Sequence, residues 1–208
     1  SLPSERELQA SFGTGRGVVR EALRALKERG LLEIRKGKTG GAYVKQMEVA
    51  RVSESLALFL KQNRVDPGSL IEFRENMDRA ISTLAIARGT PEAKAALVAD
   101  AERLEAMLRA EEPDMHAVAE LDRSLNLALA RMAGNPLFEW VMGAMQQGFS
   151  SHDFALYDDP GYREKTAANW AETARAIAAG EPLTALSFIG HHFVLLRQCV
   201  REREQSPA

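Results

Sequence analysis

Residues 4–30 are SERELQASFGTGRGVVREALRALKERG, a segment in which two helix patterns flank a glycine-rich break. Ser4 precedes Glu7 by three positions, the spacing of a capping box, which predicts the start of a short helix. Three glycines within residues 13–17 end that helix. A second helix is predicted next, because four apolar residues recur at the spacing of one helix face. These residues are Val19, Ala22, Leu23 and Leu26.

The segment after the second helix has the pattern of a short β-hairpin. Residues 31–34 and 42–44 are strand-like, and residues 35–41 between them are rich in Gly and Lys. Two short helices followed by a basic hairpin are typical of a winged helix-turn-helix, a DNA-binding fold. The sequence therefore predicts this domain over residues 1–47.

Several residues of the predicted domain are suited to DNA. Arg16 and Arg20 lie one turn apart at the start of the second helix, so both can point at base edges in a major groove. The glycines on either side of Arg16 leave backbone amides open to phosphate. Lys36 and Gly37, at the predicted wing tip, can lie over the DNA backbone or enter the minor groove.

Charge is distributed unevenly along the 208 residues, whose formal net charge is -2. Residues 1–47 contain ten basic and five acidic side chains, a balance of +5, and the remainder has a balance of -7. Such asymmetry indicates a nucleic-acid or other anionic partner for the basic part, although a solvated charged face explains the charge equally well. The hydrophobic content of 45% excludes wholesale disorder, and the single Cys excludes a disulfide framework or a Cys-based zinc site.

Specific motifs accompany this charge pattern. Residues 2–8 are Leu-Pro-Ser-Glu-Arg-Glu-Leu, Arg16 follows, residues 19–23 are Val-Arg-Glu-Ala-Leu with Leu26 beyond them, and glycines recur in the predicted hairpin. In this order and spacing, the first 44 residues resemble the GntR family of bacterial transcription regulators. The family has one more helix before the Leu-Pro-Ser-Glu-Arg run, and Ser1 is not a Met, so the resemblance implies a truncated winged helix-turn-helix that lacks its first helix.

The resemblance also implies which residues contact DNA. Arg6, Arg16, Arg20 and Lys36 fall where the family contacts its operator. One departure concerns the recognition arginine, which the family commonly flanks with Ser or Thr and which this chain flanks with glycines. Two hydroxyl contacts are therefore missing, and we expect an operator that differs from the family's usual one.

Residues 48–208 show only helical periodicity. Proline and N-cap residues mark several starts, and residues 157–161 are predicted to form a loop. The predicted helices cover about 49–61, 67–88, 91–110, 113–132, 137–151, 162–179 and 182–203. A mainly α protein is therefore predicted, with the winged helix-turn-helix followed by an all-α bundle of six or seven helices.

The predicted bundle resembles the FCD-type ligand-binding domain of the FadR subfamily of GntR proteins. Residues 73–74, 120–122 with 133–136, and 176–192 carry looser motifs in the expected order. The resemblance implies an effector pocket and the positions of the residues that line it. These residues are Arg74, Asp122, Asn126, Trp170 and His192.

Many members of that subfamily bind a metal ion with one Asp and three His. In this chain the corresponding positions hold Asp122, Asn126, Trp170 and His192. An amide is a poor zinc ligand, and an indole offers only a donor, so two of the four ligands are lost. The site is degenerate, and we expect a pocket that binds no metal and no other cofactor.

Ordinary structural roles remain open for these residues. Trp170 is compatible with plain core packing, His192 and His191 with one buried and one exposed position, Asp122 with a cap or an Arg pair, and Arg74 with a surface role. Cys199 is expected to be an inert helix residue.

The predicted function is a ligand-responsive DNA-binding transcription regulator. It is expected to act in the cytoplasm as a homodimer on a palindromic double-stranded operator, with a small organic acid or an acyl-CoA as effector and no membrane partner. A metal-binding sensor or an enzyme module with a basic head is the alternative. The sequence contains no Gly-x-Ser-x-Gly or His-Glu-x-x-His motif, so an enzyme is not expected.

Overall fold

A computed structural model describes residues 1–35, 40–45, 49–63 and 65–205 of the chain. The chain divides into two compact units, Ser1–Val52 and Ser53–Ala208. The domain boundary predicted from the sequence lies between residues 47 and 48. Lys36 and Gly37, the predicted wing contacts, lie outside the described residues.

The described residues are mainly helical, as predicted. In chain order the elements are α1 Glu5–Phe12, α2 Arg16–Glu28, β1 Leu32–Arg35, β2 Gly41–Val44, α3 Val49–Gln62, α4 Pro67–Arg88, α5 Pro91–Leu108, α6 Met115–Met132, α7 Pro136–Asp158, α8 Pro160–Thr166, α9 Asn169–Ala179 and α10 Pro182–Gln205.

The predicted capping box at the start of α1 is confirmed. The Ser4 hydroxyl accepts a hydrogen bond from the Glu7 amide at 3.3 Å, and the Glu7 carboxylate accepts one from the Ser4 amide at 2.7 Å. The Ser4 side-chain hydrogen bond, together with that amide, lowers the pKa of Glu7. Gly13 ends α1 in the left-handed conformation, with φ of 60°, which glycine adopts without steric cost.

The predicted hairpin is also confirmed. Strands β1 and β2 pair antiparallel, with Leu32 opposite Val44 and Arg35 opposite Gly41. The Leu2 amide donates to the Ala42 carbonyl at 2.7 Å, which ties the start of the chain to β2. The described part of this unit therefore contains two helices and a two-stranded hairpin.

Helix α2 forms as its apolar periodicity predicted, but few residues of its apolar face are buried in the first unit. Val19 and Leu32 are buried, whereas Leu26 is 37% exposed and Phe12 of α1 is 71% exposed. Two short helices and a hairpin offer too little surface to cover a full apolar stripe. The periodicity therefore predicted the helix correctly and did not predict which of its residues are buried.

The second unit is all helical in its described residues, as predicted. Prolines occupy the first turn of α4, α5, α7 and α8, where the missing amide hydrogen costs nothing. Side chains that precede the helices accept hydrogen bonds from first-turn amides. These N-caps are Asp66, Thr90, Asp114, Asn135 and Asp159. The backbone hydrogen bond from Ser69 lowers the pKa of Asp66.

Two boundaries differ from the predictions. Helix α7 continues to Asp158, through part of the predicted loop at residues 157–161, because Leu156 and Tyr157 are buried in the core. The helix predicted over 162–179 is divided into α8 and α9, with Thr166 and Ala167 buried at the break. Packing between distant segments sets both boundaries, and the division adds a short helix to the bundle.

The core of the second unit forms where α4, α5, α6, α9 and α10 pack together. Helix α4 packs against α6 and α10, and α5 packs against α6 and α9. Ile81, Leu104, Leu125 and Phe193 are fully buried between them. At Gly190 of α10 the Arg79 guanidinium of α4 occupies the space beside the backbone, 2.8 Å from where a Cβ would lie.

Helix α10 alone among the described helices is long and apolar enough to cross a membrane, with a mean hydropathy of 1.2 over its most apolar window. In this structure it packs against α4, α7, α8 and α9. Its buried residues recur on one face, as in a core helix of a bundle. They are Ala185, Ile189, Phe193, Leu196 and Cys199, with Leu195 beside them.

Candidate functional site

A central cavity of about 40 Å³ lies in the second unit, between α4, α6, α9 and α10. The five residues that the resemblance assigned to an effector pocket all line it: Arg74, Asp122, Asn126, Trp170 and His192. The structure thus brings together side chains that are up to 118 positions apart in the sequence. Their effector-binding role stays a prediction.

Asp122, on α6, is the centre of the hydrogen bonding around the cavity. Its Oδ1 accepts from the Tyr157 hydroxyl at 2.9 Å and from the Trp170 indole Nε1 at 2.8 Å. Its Oδ2 accepts from the Asn126 side-chain amide at 3.2 Å. Since Asp122 is only 7% exposed, these neutral donors stabilise a buried carboxylate.

Arg74, on α4, is buried at the same cavity, which excludes the surface role left open for it. One of its terminal nitrogens lies 3.5 Å from Asn126 Oδ1 and 3.5 Å from Asp78 Oδ2. These distances are at the long limit for hydrogen bonds. The distances from Tyr157 and Trp170 to Asp122 Oδ1, by contrast, are near the optimum. A buried guanidinium at the cavity is a suitable group for an anionic ligand.

Two further polar groups line the cavity. Within the part of the chain that the structure describes, Ser82 Oγ and Asn169 Oδ1 are buried without a hydrogen-bond partner. A buried polar atom left unpaired costs about 1–3 kcal/mol, and such atoms call for an explanation. A bound ligand or water that donates to Asn169 and contacts Ser82 would supply one.

Trp170 makes a polar contact at this cavity, and His192 lines it. The Trp170 indole N–H is aimed at Asp122, so the residue contributes a polar contact as well as apolar area. His192 is half-buried, with its ring edge-on to Phe193 at 5.2 Å, whereas His191 is exposed.

Cys199 is buried, and burial raises the pKa of its thiol, as expected of an unreactive residue.

The residues around the cavity do not fit the metal ion that the family resemblance raises. Among the described residues, no three His, Cys, Asp or Glu side chains cluster in a way that could hold one. The Trp170 N–H donates to Asp122 and has no lone pair for a metal, and the Asn126 amide likewise donates to that carboxylate. Of the four positions that correspond to the family's ligands, Asp122 and His192 retain the chemistry of ligands.

The candidate nucleic-acid contacts lie in the first unit. Arg6, Arg16 and Arg20 are all exposed. Arg16 Nε lies 3.6 Å from one carboxylate oxygen of Glu5, and Arg20 Nε lies 3.8 Å from the other. The shared carboxylate places both arginines on the same side of the unit, as their spacing on α2 predicted.

The start of α2 is open. Gly15 precedes the helix with extended backbone angles and makes no side-chain cap, and no described atom lies within 4 Å of a Cβ built at Gly15 or Gly17. First-turn amides exposed in this way can bind a phosphate. Next to the wing, Arg35 stacks over the Tyr43 ring at 4.4 Å and pairs with Glu33.

Reasoning from sequence missed several cavity residues. Asp78 and Ser82 follow Arg74 at four-residue intervals, so the helical period of α4 was a usable signal. Asn169 immediately precedes Trp170 and gave no such signal. Tyr157 does not line the cavity but donates to Asp122, and this contact was missed because Tyr157 was assigned to a loop.

Family comparisons agree with the two units. Residues 1–44 match the family described as bacterial regulatory proteins, gntR family, and residues 69–195 match the FCD domain. The resemblance drawn from the sequence is confirmed by both matches. The second alone covers more than half of the chain.

Curated relatives include transcription regulators. The chain is 34% identical over 145 residues to the HTH-type transcriptional regulator LutR of Bacillus subtilis, covering 68% of this chain and 62% of LutR. It is 33% identical over 157 residues to the HTH-type transcriptional repressor NanR of Cronobacter sakazakii, covering 69% and 57%. The chain thus spans about three fifths of the length of these relatives, which are transcriptional regulators and not enzymes.

Solved structures share the fold. A Streptococcus agalactiae GntR protein superposes with a TM-score of 0.62 at 21% identity, over 95% of this chain and 88% of the other. E. coli McbR/YncC superposes with a TM-score of 0.54 at 17% identity, over 97% and 86%. At these identities the likeness concerns the fold alone.

Proposed function

Because this chain belongs to the gntR family of bacterial regulatory proteins and carries an FCD domain, we propose that it is a transcription regulator whose affinity for DNA responds to a small molecule. The observation that carries the proposal is the central cavity, which gathers a buried guanidinium, a buried carboxylate and two unpaired polar atoms. Such a cavity is costly to maintain in a core with no other purpose.

The first unit binds DNA in this proposal. Arg16 and Arg20 contact base edges from α2, Arg6 contacts the duplex from α1, and Lys36 and Gly37 contact it from the wing. Two copies of the chain form a homodimer, which presents two basic heads to the half-sites of a palindromic operator in the cytoplasm. The exposed arginines and the open start of α2 support these contacts.

The effector is a small organic acid. Its carboxylate pairs with Arg74, and a hydroxyl or similar donor on it reaches Asn169 Oδ1 or Ser82. The cavity of about 40 Å³ has room for roughly three water molecules, which favours a molecule of a few heavy atoms over an acyl-CoA. The size of the cavity supports the first of the two effector classes that the sequence left open.

The effector binds directly, without a metal ion or other cofactor. Trp170 and Asn126 direct their N–H groups at Asp122 and so satisfy the carboxylate with neutral donors. Ligand binding changes DNA affinity only if it favours one of two states of the dimer, in which case DNA must change ligand affinity by the same factor. The coupling is therefore measurable from either side.

A thermal-shift screen tests the effector site. The full chain is melted with a panel of two- to six-carbon organic acids and with acyl-CoAs. A ligand at about 100 times its Kd adds about 2.7 kcal/mol, or roughly 5–10 °C for a domain of this size. We expect a small acid to raise the Tm of the wild type and to have little effect on Arg74→Met.

The matched control is Arg103→Met, which removes an exposed arginine of α5 that pairs with Asp100. It should respond to the acid as the wild type does. Equal responses of Arg74→Met and the wild type would contradict the proposed site, as would a shift by acyl-CoAs alone. Elemental analysis of protein purified without chelator tests whether the cavity holds a metal ion. One zinc or nickel per chain would overturn the proposal that the effector binds without a metal.

A further inference from the structure

We propose that Glu5 is a positioning residue for DNA recognition, which sets base preference because its charge attracts Arg16 and Arg20 to the same side of the first unit. The inference rests on the proposed DNA-binding function. Glu5 lies on α1, outside the recognition helix α2. Its carboxylate is therefore assigned a role in binding DNA, which is itself negatively charged.

The geometry joins one carboxylate to two arginines. Glu5 Oε2 lies 3.6 Å from Arg16 Nε, and Oε1 lies 3.8 Å from Arg20 Nε. Both approaches are through Nε, the nitrogen nearest the backbone, so the terminal nitrogens remain at the tips of the side chains. Those terminal nitrogens are part of the fork that contacts guanine in a bidentate manner.

Stability of the fold does not account for this arrangement. The Arg16 and Arg20 side chains are 72% and 64% exposed, and the Glu5 side chain is 41% exposed. Exposed ion pairs contribute little to folding, because solvent screens them and two long side chains must be ordered. Ordering those side chains in advance, however, lowers the entropic cost of binding DNA with both at once.

The charge of Glu5 also affects which DNA is bound. Non-specific affinity comes from phosphate neutralisation, so a carboxylate between two arginines weakens binding to any duplex. Contacts with the correct bases retain their directional hydrogen bonds. Glu5 therefore lowers non-specific affinity more than specific affinity, which increases the ratio between them.

The experiment compares Glu5→Gln with Glu28→Gln in the full chain. Glu28 is a matched control, since it pairs with Arg24 at 2.9 Å on the same helix as the recognition arginines and is likewise exposed. Both variants remove one negative charge. The wild type and both variants each select duplexes from a random library. The affinity of each protein for its selected duplex and for a scrambled duplex is then measured at a series of salt concentrations. Arg16→Ala and Arg20→Ala identify the positions that each arginine contacts.

We expect Glu5→Gln to bind scrambled duplex about threefold more tightly, and its ratio of specific to non-specific affinity to fall about tenfold. Base preference should relax at the positions assigned to Arg16 and Arg20. Glu28→Gln should keep the wild-type preference at those positions. The melting temperatures of both variants should stay near that of the wild type, which separates positioning from folding.

Equal changes in affinity for both duplexes, with base preference intact, would reduce Glu5 to a net-charge effect and overturn the proposal. A changed preference only at a position that neither arginine contacts would also overturn it, because Glu5 would then contact a base itself. In both cases the wild type still selects an operator, so the proposed function stands. If the wild type selects no sequence, the proposed function and this inference fail together.

Discussion

The two charged sites of the molecule are held in opposite ways. In the first unit, Arg16 and Arg20 extend into solvent at 3.6 and 3.8 Å from a half-exposed carboxylate. In the second unit, Asp122 is buried and accepts hydrogen bonds of 2.8 and 2.9 Å on a single oxygen. The first arrangement leaves the terminal nitrogens of both arginines open to a large charged partner, whereas the second encloses its polar groups and suits a small ligand.

This difference has an energetic consequence. Removal of an exposed charge should change DNA binding and leave folding almost unaffected. Removal of a buried hydrogen-bonding group should destabilise the fold, because its partners remain buried and unsatisfied. Three predictions test how far this separation of binding from stability extends.

The largest effect is expected at Asp122. Asp122→Ala leaves the Tyr157 hydroxyl, the Trp170 indole and the Asn126 amide without this acceptor, which should lower the free energy of unfolding by about 3 kcal/mol. Urea denaturation monitored by circular dichroism measures the change. Asp100→Ala, at an exposed position of α5, is the control and should stay within about 0.5 kcal/mol of the wild type. A loss at Asp122 no larger than at Asp100 would show that the network adds no stability.

The next effect concerns binding. Arg16→Ala should abolish base preference at the position that Arg16 contacts, a loss of about 1–3 kcal/mol in discrimination. Its free energy of unfolding should change by less than about 0.5 kcal/mol, since the side chain is exposed. Competition binding with single-base variants of a selected duplex gives the first quantity, and urea denaturation gives the second. Preference retained in full would exclude Arg16 from base contact.

The smallest effect is a pH dependence at Glu75, which joins α4 to α10. Its carboxylate accepts from Arg79 at 2.7 Å and from Arg197 at 2.8 Å. Burial raises the pKa of Glu75, but the hydrogen bonds and charges of the two arginines outweigh it, so the pKa lies below its usual 4.5. The stabilisation is therefore complete above about pH 4.5 and is lost as the pH falls through the lowered pKa.

Glu75→Gln should lower the free energy of unfolding by about 1 kcal/mol at pH 7, with a smaller difference below pH 4. Urea denaturation at a series of pH values measures it. The control is Glu72→Gln, an exposed position one turn earlier in α4. A difference from wild type that persists unchanged into acid would show that the charge of Glu75 is not its source.

Local patterns predicted the elements well. The Ser4–Glu7 capping box and the N-caps with adjacent prolines formed as expected, because each depends on residues within three or four positions. The five pocket residues came from a family resemblance and not from periodicity. The structure places them at one cavity, but periodicity alone could not bring together helices that are distant in the chain.

The failures have a common cause. Tyr157 was placed in a loop, and the break between α8 and α9 was missed, because burial against other helices sets both. Leu26 lies on a regular apolar stripe and is still 37% exposed, since the first unit has little surface to cover it. Periodicity identifies a helix face, whereas burial depends on what packs against that face.

The amino-acid sequence was sufficient for the two-unit organisation, for most helix starts and for the opposite net charges of residues 1–47 and 48–208, because these features depend on composition or on neighbouring residues. Packing supplied what no local pattern contains. Asp122 meets Tyr157 and Trp170, which are 35 and 48 positions away, and Arg74 meets Asn126 across 52 positions. These contacts exist because helices from separate segments bury their apolar faces together, and the polar groups caught between them must then satisfy one another or a ligand.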